Sequence, residues 1–204
     1  MDCSVQNLYM QTGRPLEFDP ELALEAAMAV FWQHGFEGTS LADLLQAMSL
    51  SKSSFYNEFG SKHELFEACL ERFRRRQVGR MRDGLTSAAS PLAFIRGMLL
   101  TNAAEARQDG PRCGCLIMNT ATEFAGRDPA VAGLVSSAAR DFAGMFRVAI
   151  ETAQEQGEIH RDADPEMLAR YLLTTMAGLR TMVKAGLPAD EIEQIVEVAL
   201  KALR

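Results

Sequence analysis

The sequence lacks any apolar stretch long enough to cross a membrane, since no run of about 18 apolar residues occurs in its 204 residues. Its N-terminus also lacks the basic start and apolar centre of a secretory signal. We therefore expect a cytoplasmic protein with no membrane partner. In that compartment the four cysteines, Cys3, Cys69, Cys113 and Cys115, are expected to be reduced thiols.

The residue patterns of common enzymes and metal sites are also missing. There is no glycine-rich phosphate loop, no His-Glu-x-x-His and no nucleophile elbow. The three histidines, His34, His63 and His160, are scattered, and two cysteines two residues apart are weak evidence for a metal. We therefore expect no enzymatic activity, no metal and no cofactor.

An excess of positive charge is absent too, because the formal net charge is −6. The basic residues of the N-terminal part cluster between Arg72 and Arg82, a run that is more often a solvated helix face than a DNA contact. A DNA-binding protein of this composition must rely on a few placed contacts. Its non-specific affinity for DNA is then expected to be weak and salt-sensitive.

Helix signals, in contrast, run along the whole chain. No segment shows the period-2 alternation of a strand. Four helix starts are marked by a side-chain acceptor followed by proline, which suits the first helical position. The sequence therefore predicts an all-α fold of about nine helices. The predicted helices cover 20–34, 40–48, 52–59, 62–84, 91–108, 114–125, 129–156, 165–185 and 189–203.

Residues 40–59 have the pattern of a helix-turn-helix. Apolar residues recur at helical spacing in the first of its helices: Leu41, Leu44, Leu45 and Met48. After the short break at 49–51, Phe55 and Phe59 share one face of the next helix. Two short helices joined so briefly cross at a steep angle and leave the polar face of the second exposed, which suits a DNA major groove.

Residues 14–66 resemble the DNA-binding domain of the TetR family. The matching elements are a first helix, the Gly-Phe-x-Gly-Thr-Ser bridge at 35–40, the helix-turn-helix, the Ser-Phe-Tyr-x-x-Phe segment at 54–59 and Ser61-Lys62. The resemblance implies a homodimeric transcriptional regulator, more often a repressor than an activator. Such a regulator binds a palindromic double-stranded operator and is released by an effector, here of unknown identity.

The resemblance also implies roles for individual residues at the DNA. Tyr56 and Lys62 resemble residues that contact phosphate, and a helix start at Ser61-Lys62 presents free N–H groups to an anion. Thr39 resembles the cap of the second helix, which also touches the DNA backbone. The remaining residues with a DNA role lie at base-facing or near-backbone positions of the recognition helix, or in an N-terminal arm: Lys52, Ser53, Ser54, Asn57 and Arg14.

The resemblance and the breaks in the helical pattern divide the chain into three parts. Residues 1–13 are predicted to be a flexible extension, 14–84 a DNA-binding domain with its connecting helix, and 85–204 an effector-binding and dimerisation domain. The dimer interface is expected on apolar stripes of the last two helices, although both stripes could instead belong to the protomer core. The stripes are Leu168, Leu172, Met176, Leu179 and Val183, and Ile192, Ile195, Val196, Ala199 and Leu203.

A pocket for a small apolar or amphipathic effector is expected among the middle helices, where methionines and phenylalanines give an adaptable lining. The same residues would be ordinary core in many helical proteins. The candidates for the pocket wall are Phe94, Met98, Met118, Asn119, Thr122, Phe142, Met145 and Phe146.

The segment at 112–119 carries two thiols. Its Gly-Cys-Leu-x-x-Asn pattern resembles a subgroup of the family that includes electrophile- and redox-responsive repressors. A thiol near a helix start and beside Arg112 is expected to be unusually nucleophilic. This makes Cys113 the better candidate for a thiol sensor, whereas Cys115 is better explained as a small buried hydrophobe than as a sensor.

Two other classes of function remain open at this point. The helices could form a protein-interaction module, or the chain could be a redox or electrophile sensor whose main role is not DNA binding. Sequence-specific binding of DNA by the purified protein discriminates against both.

Overall fold

The computed structural model describes residues 18–124 and 126–203, and within these ranges every regular element is a helix, which confirms the all-α prediction. The predicted N-terminal extension and Arg14 lie outside the described residues. None of the described helices is long and apolar enough to span a bilayer. The nine helices are α1 (Pro20–His34), α2 (Leu41–Met48), α3 (Lys52–Phe59), α4 (Lys62–Ser87), α5 (Pro91–Ala106), α6 (Leu116–Phe124), α7 (Pro129–Glu155), α8 (Pro165–Lys184) and α9 (Ala189–Lys201).

The four starts marked by proline are confirmed as helix N-termini. The carboxylates of Asp19, Asp128 and Asp164 each accept from two backbone N–H groups of the first helical turn. The hydroxyl of Ser90 accepts from the N–H of Ala93. In each case the side chain satisfies donors that the helix itself leaves unpaired, and the following proline has no N–H to lose.

The helix-turn-helix is held by local contacts at 40–55. The Ser40 hydroxyl accepts from the N–H of Asp43, while the Asp43 carboxylate accepts from the N–H of Ser40, so the two residues form a capping box. Ser49 then adopts a left-handed φ of 54° and ends α2. Leu50 packs on the core, and Phe55, on the inner face of α3, is fully buried.

Helix α1 turns one narrow face toward the core. Ala23, Ala27 and Phe31 are buried, whereas the side chain of Leu22 is 70% exposed. The reason is that α1 is covered by α2 and α4 together, and these two neighbours select the face that turns inward.

Helix α4 runs through both halves of the molecule and packs against α1 and α7. Three of its six arginines are paired with carboxylates of these neighbours. Arg72 contacts Glu21 and Glu25, Arg76 contacts Glu25, and Arg74 contacts Asp141 and Glu71. The hydrogen bond from Arg74, together with Arg75, lowers the pKa of Glu71 to about 2. Arg72, Arg74 and Arg76 therefore tie α4 to its neighbours, while Arg75, Arg80 and Arg82 are exposed.

A carboxylate on α6 joins the C-terminal part of the chain to the loop before the helix-turn-helix. Glu123 accepts from the backbone N–H of Phe36 at 3.0 Å and from that of Glu37 at 2.7 Å. Gly35, just before them, has a φ of +75°, and a Cβ there would lie 2.9 Å from a Glu123 oxygen. Glycine thus permits both the backbone conformation and the close approach.

Two further hydrogen bonds cross the same junction. The indole N–H of Trp32 in α1 donates to the carbonyl oxygen of Gly114 at 3.2 Å. His63 Nε2 lies 2.6 Å from the Asp128 carboxylate at the start of α7, and this hydrogen bond holds the pKa of Asp128 below its usual value.

An aromatic cluster fills the space between these polar contacts. The ring of Phe36 lies 5.1 Å from that of Phe66 and 5.4 Å from that of Phe124, measured between centroids. The junction therefore combines hydrogen bonds with a packed apolar centre.

Glu123→Ala tests the strength of this junction. The substitution leaves the N–H groups of Phe36 and Glu37 without their acceptor, so the free energy of unfolding is expected to fall by about 1–3 kcal/mol. The measurement is urea denaturation followed by circular dichroism. The matched control is Glu155→Ala, at an exposed glutamate that ends α7, and it should stay within about 0.5 kcal/mol of the parent. Equal stabilities of the two variants would contradict the assignment.

Candidate DNA interface, effector cavity and dimer face

The recognition-helix candidate α3 presents a polar face to solvent. Its N-cap Ser51 accepts from the N–H of Ser54, and the hydroxyls of Ser53 and Ser54 each lie 2.9 Å from the Ser51 hydroxyl. Tyr56 is 46% exposed although its ring packs edge-on against the buried Phe55. Lys52, Ser53 and Asn57 are exposed and Ser54 is half-buried. The buried phenylalanine thus fixes the helix, while hydrogen-bonding side chains face outward.

Lys62 is the first residue of α4, directly after its N-cap Ser61. Its ammonium lies 4.2 Å from the centroid of the Phe36 ring, within cation–π distance. The lysine is therefore held at a helix N-terminus, where the backbone also favours anions.

Thr39 does not fill the role that the family resemblance implied for it. Its side chain is only 1% exposed, and its hydroxyl donates to the carbonyl oxygen of Gly35 at 2.6 Å. The cap of α2 is the neighbouring Ser40. The prediction that Thr39 caps α2 is therefore wrong, because its hydroxyl is satisfied inside the α1–α2 loop, whereas its contact with the DNA backbone stays a prediction.

A cavity of about 50 Å³ lies between α4, α5, α6, α7 and α8. Four predicted pocket residues line it, namely Met98, Met118, Phe142 and Phe146. Phe94 is buried and Met145 packs on the core, but neither lines the cavity. Asn119 and Thr122 line a separate cleft of about 430 Å³ between α1 and α6, together with Met118.

Most residues of the cavity wall were not predicted from the sequence. Helix α4 contributes side chains at four-residue spacing, and α8 contributes one face of its middle turns. The four-residue spacing places these side chains on one side of α4, and this spacing could have indicated that they line a common site. The missed residues are Phe73, Gln77, Met81, Cys115, Leu173, Met176, Ala177 and Arg180.

The two neighbouring thiols have different surroundings. Cys115 lines the cavity, while the Cys113 thiol donates to the carbonyl oxygen of Pro111 at 3.7 Å. Arg112 donates to the carbonyl oxygen of Ala106, at the end of α5. Its guanidinium is thus already committed to a backbone acceptor. Cys69 is buried, and desolvation raises the pKa of its thiol.

The apolar stripes predicted for the dimer interface mostly face the protomer's own core. The reason is that α8 packs against α7 and α9 packs against α5, which cover these faces. Leu168 is half-buried, and Ile195 is the one predicted residue that is exposed. The stripe residues buried within the protomer are Leu172, Met176, Leu179, Val183, Ile192, Val196, Ala199 and Leu203.

A second stripe on the same two helices is open to solvent. On α8 its members fall at helical spacing, and on α9 the same holds for a shorter row. Large apolar side chains are prominent among them, with Val198 being 64% exposed. We call this surface the α8–α9 face, and it consists of Met167, Tyr171, Thr174, Gly178 and Met182 with Glu191, Ile195 and Val198.

No group of three or more His, Cys, Asp or Glu side chains that would hold a metal ion occurs among the described residues. The candidate functional features are the polar face of α3, the apolar cavity and the α8–α9 face.

Comparison with known proteins agrees with this arrangement. Residues 23–69 match the family described as bacterial regulatory proteins, tetR family. Residues 91–198 match the tetracyclin repressor-like C-terminal domain. The chain is 30% identical over 192 residues to the uncharacterized HTH-type transcriptional regulator YezE of Bacillus subtilis (strain 168), covering 94% of this chain and 99% of that protein.

Two further similarities extend over nearly the whole chain. It is 30% identical to the HTH-type transcriptional repressor ComR of Escherichia coli (strain K12), covering 97% of this chain and 95% of that protein. The structure resembles a cysteine-substituted variant of the TetR family regulator CifR in complex with 26-bp double-stranded operator DNA. That match has a TM-score of 0.82 and 33% identity, and it covers 94% of this chain and 100% of the other. By these matches in both halves, the chain belongs to the TetR family of bacterial transcriptional regulators.

Proposed function

We propose that this protein is a transcriptional repressor that binds a palindromic operator and is released from it by a small effector. The observation that carries the proposal is the exposed polar face of α3 above the buried Phe55, in a chain of this family. A bacterial repressor works where the DNA is, so we place it in the cytoplasm. It acts by binding and not by catalysis.

The DNA contacts are assigned to the exposed residues around α3 and the start of α4. Tyr56 and Lys62 bind phosphate and position the protein, whereas Ser53, Ser54 and Asn57 face base edges and specify the sequence. Lys52, at the first turn of α3, lies near the DNA backbone. Arg14 stays a prediction for an arm that contacts DNA.

Dimerisation is assigned to the α8–α9 face. Its exposed apolar side chains would be buried against the same face of a second copy, as a two-fold interface requires. The two recognition helices of the dimer then lie at a fixed separation, and they bind a palindromic operator whose half-sites have the same spacing.

Effector binding is assigned to the apolar cavity and acts through the domain junction. Helix α6 carries Met118 in the cavity wall and Glu123 at the loop before the helix-turn-helix. An effector that prefers a displaced α6 therefore favours a state in which the recognition helices no longer match the operator. A difference of about 1–3 kcal/mol between the two states is typical of such coupling.

Electrophiles are a second class of effector for the same cavity, because Cys115 lies in its wall. Addition of an electrophile to this sulfur would place the adduct in a space of about 50 Å³. The adduct would displace neighbouring side chains, and with them α6.

In-vitro selection from a random duplex pool tests the function as a whole. At moderate salt the purified protein is expected to enrich a palindromic site, because two identical recognition helices read two identical half-sites. If the folded protein enriched no site, with and without added effector candidates, the proposed function would be wrong.

Lys62→Ala tests the phosphate contacts on the selected site. Each lost charge contact should reduce the slope of log K against log salt by about one unit, so about two for a dimer, and should weaken binding to all sequences alike. The control Lys201→Ala, at the exposed end of α9, should leave both quantities unchanged. An unaltered salt slope in Lys62→Ala would reject the assignment.

Val198→Glu tests the α8–α9 face. A charge placed in a buried apolar interface is strongly unfavourable, so this variant is expected to sediment as a monomer in analytical ultracentrifugation. Val148→Glu is the matched control, because Val148 is also an exposed valine, 42% accessible, but lies on α7. A Val198→Glu protein that remains dimeric would show that another surface pairs the protomers.

Modification with N-ethylmaleimide tests the thiol in the cavity. Treatment is expected to weaken operator binding of the parent and of Cys113→Ser, whereas Cys115→Ser should be protected. Mass spectrometry identifies the modified cysteine in each case. Operator binding that is indifferent to N-ethylmaleimide in the parent, despite modification of Cys115, would remove electrophiles as effectors.

A further inference from the structure

Arg180 is a cation in the wall of an otherwise largely apolar cavity. Its side chain is 20% exposed, and its nearest carboxylate oxygen, on Glu105, lies 3.6 Å from Nη1. The two side chains thus form an ion pair at a distance too long for a hydrogen bond. Among the described residues the guanidinium makes no hydrogen bond at all, although it carries five N–H donors.

The other wall residues determine what would satisfy these donors. Met98, Met118, Phe142 and Phe146 give an apolar surface. Gln77 is the one other residue of the wall with a strongly polar side chain, and it too makes no hydrogen bond to a described residue. A guanidinium matches a carboxylate geometrically through two parallel hydrogen bonds, and apolar surroundings strengthen the attraction.

We propose that the effector is a small carboxylate with a short apolar body, whose acid group binds Arg180 and whose body lies against the methionines and phenylalanines. This inference rests on the proposed function, since it takes the cavity to be the effector site. The space between these side chains is small, about 50 Å³, which favours a short apolar body.

The backbone at Arg180 connects this site to the DNA-binding half. A Cβ on Gly114 would lie 3.5 Å from the carbonyl oxygen of Arg180, so the two backbones are in close contact. The carbonyl oxygen of Gly114 in turn accepts from Trp32 of α1. A carboxylate that moves Arg180 therefore acts on the segment that holds α1.

A neutral apolar effector is the alternative that the experiment has to separate. Such a molecule would use the same methionines and phenylalanines but would be indifferent to the charge at 180. Matched acid and amide pairs distinguish the two, because they differ in charge and hardly in size.

The probes are propionate and butyrate against propionamide and butyramide, measured by isothermal titration calorimetry with the full chain at constant ionic strength. The acids are expected to bind the parent about tenfold or more tightly than the amides, as for a hydrogen-bonded charge. Arg180→Met should lose this preference, and Arg180→Lys should retain part of it. The control Arg140→Met, at an exposed arginine of α7, should bind like the parent.

Glu105→Gln provides a variant with the opposite expected effect. It removes the carboxylate nearest to Arg180, so the acids should bind more tightly than they do to the parent. A merely structural role of Arg180 would not give opposite effects in the two variants. Thermal unfolding of each variant without ligand establishes that it is folded.

Two results would overturn the proposal: amides that bind as well as the acids, or acid binding that is unchanged in Arg180→Met. Absence of acid binding to the folded parent would overturn it too. These failures are separate from failure of the proposed function, which is decided by operator selection without any acid. Finally, Cys115→Ser should keep its affinity for the acids, because no covalent step is involved.

Discussion

The contact on which the arrangement of the two halves depends is the Glu123 carboxylate with two backbone N–H groups of the α1–α2 loop. The loop leads directly into α2, so its position sets the start of the helix-turn-helix. This side chain on α6 thus links the cavity wall directly to the start of the helix-turn-helix. The hydrogen bonds of Trp32 and His63 support the same junction from either side.

Ion pairs between arginines of α4 and carboxylates of its neighbours also hold the helices together. Three arginines of α4 form pairs with Glu21, Glu25 and Asp141, and these pairs hold α1 and α7 against α4. With a net charge of −6, little positive charge remains to attract DNA non-specifically. Affinity for an operator must then come from a small number of placed contacts, which favours discrimination between sequences over tight general binding.

Features that depend on neighbours in sequence could be predicted, whereas features that depend on distant partners could not. The caps at Asp19, Ser90 and Asp128 and the bounds of α1 and α3 follow from local chemistry and were predicted. Helical periodicity identified apolar faces on α8 and α9, but it does not tell whether the protomer or a second copy covers them. The partners of Glu123 lie 86 and 87 positions away, and the cavity that Arg180 lines is assembled from five helices, so one sequence gives no signal for either. Thr39 and Ser40 are both plausible caps by residue type, and only the geometry of the loop separates them.

The ring of Phe36 connects the proposed phosphate contact at Lys62 to helix α6, which lines the cavity. It contacts the ammonium of Lys62, and it also packs on Phe124 of α6. A phosphate that draws Lys62 away from the ring therefore alters the same cluster that supports α6. Thermodynamic linkage is reciprocal. If a ligand in the cavity lowers the affinity for DNA by some factor, then DNA lowers the affinity of the cavity for that ligand by the same factor. Under the proposed function, operator and effector therefore compete, and a protein bound to its operator responds only at a higher effector concentration than free protein does.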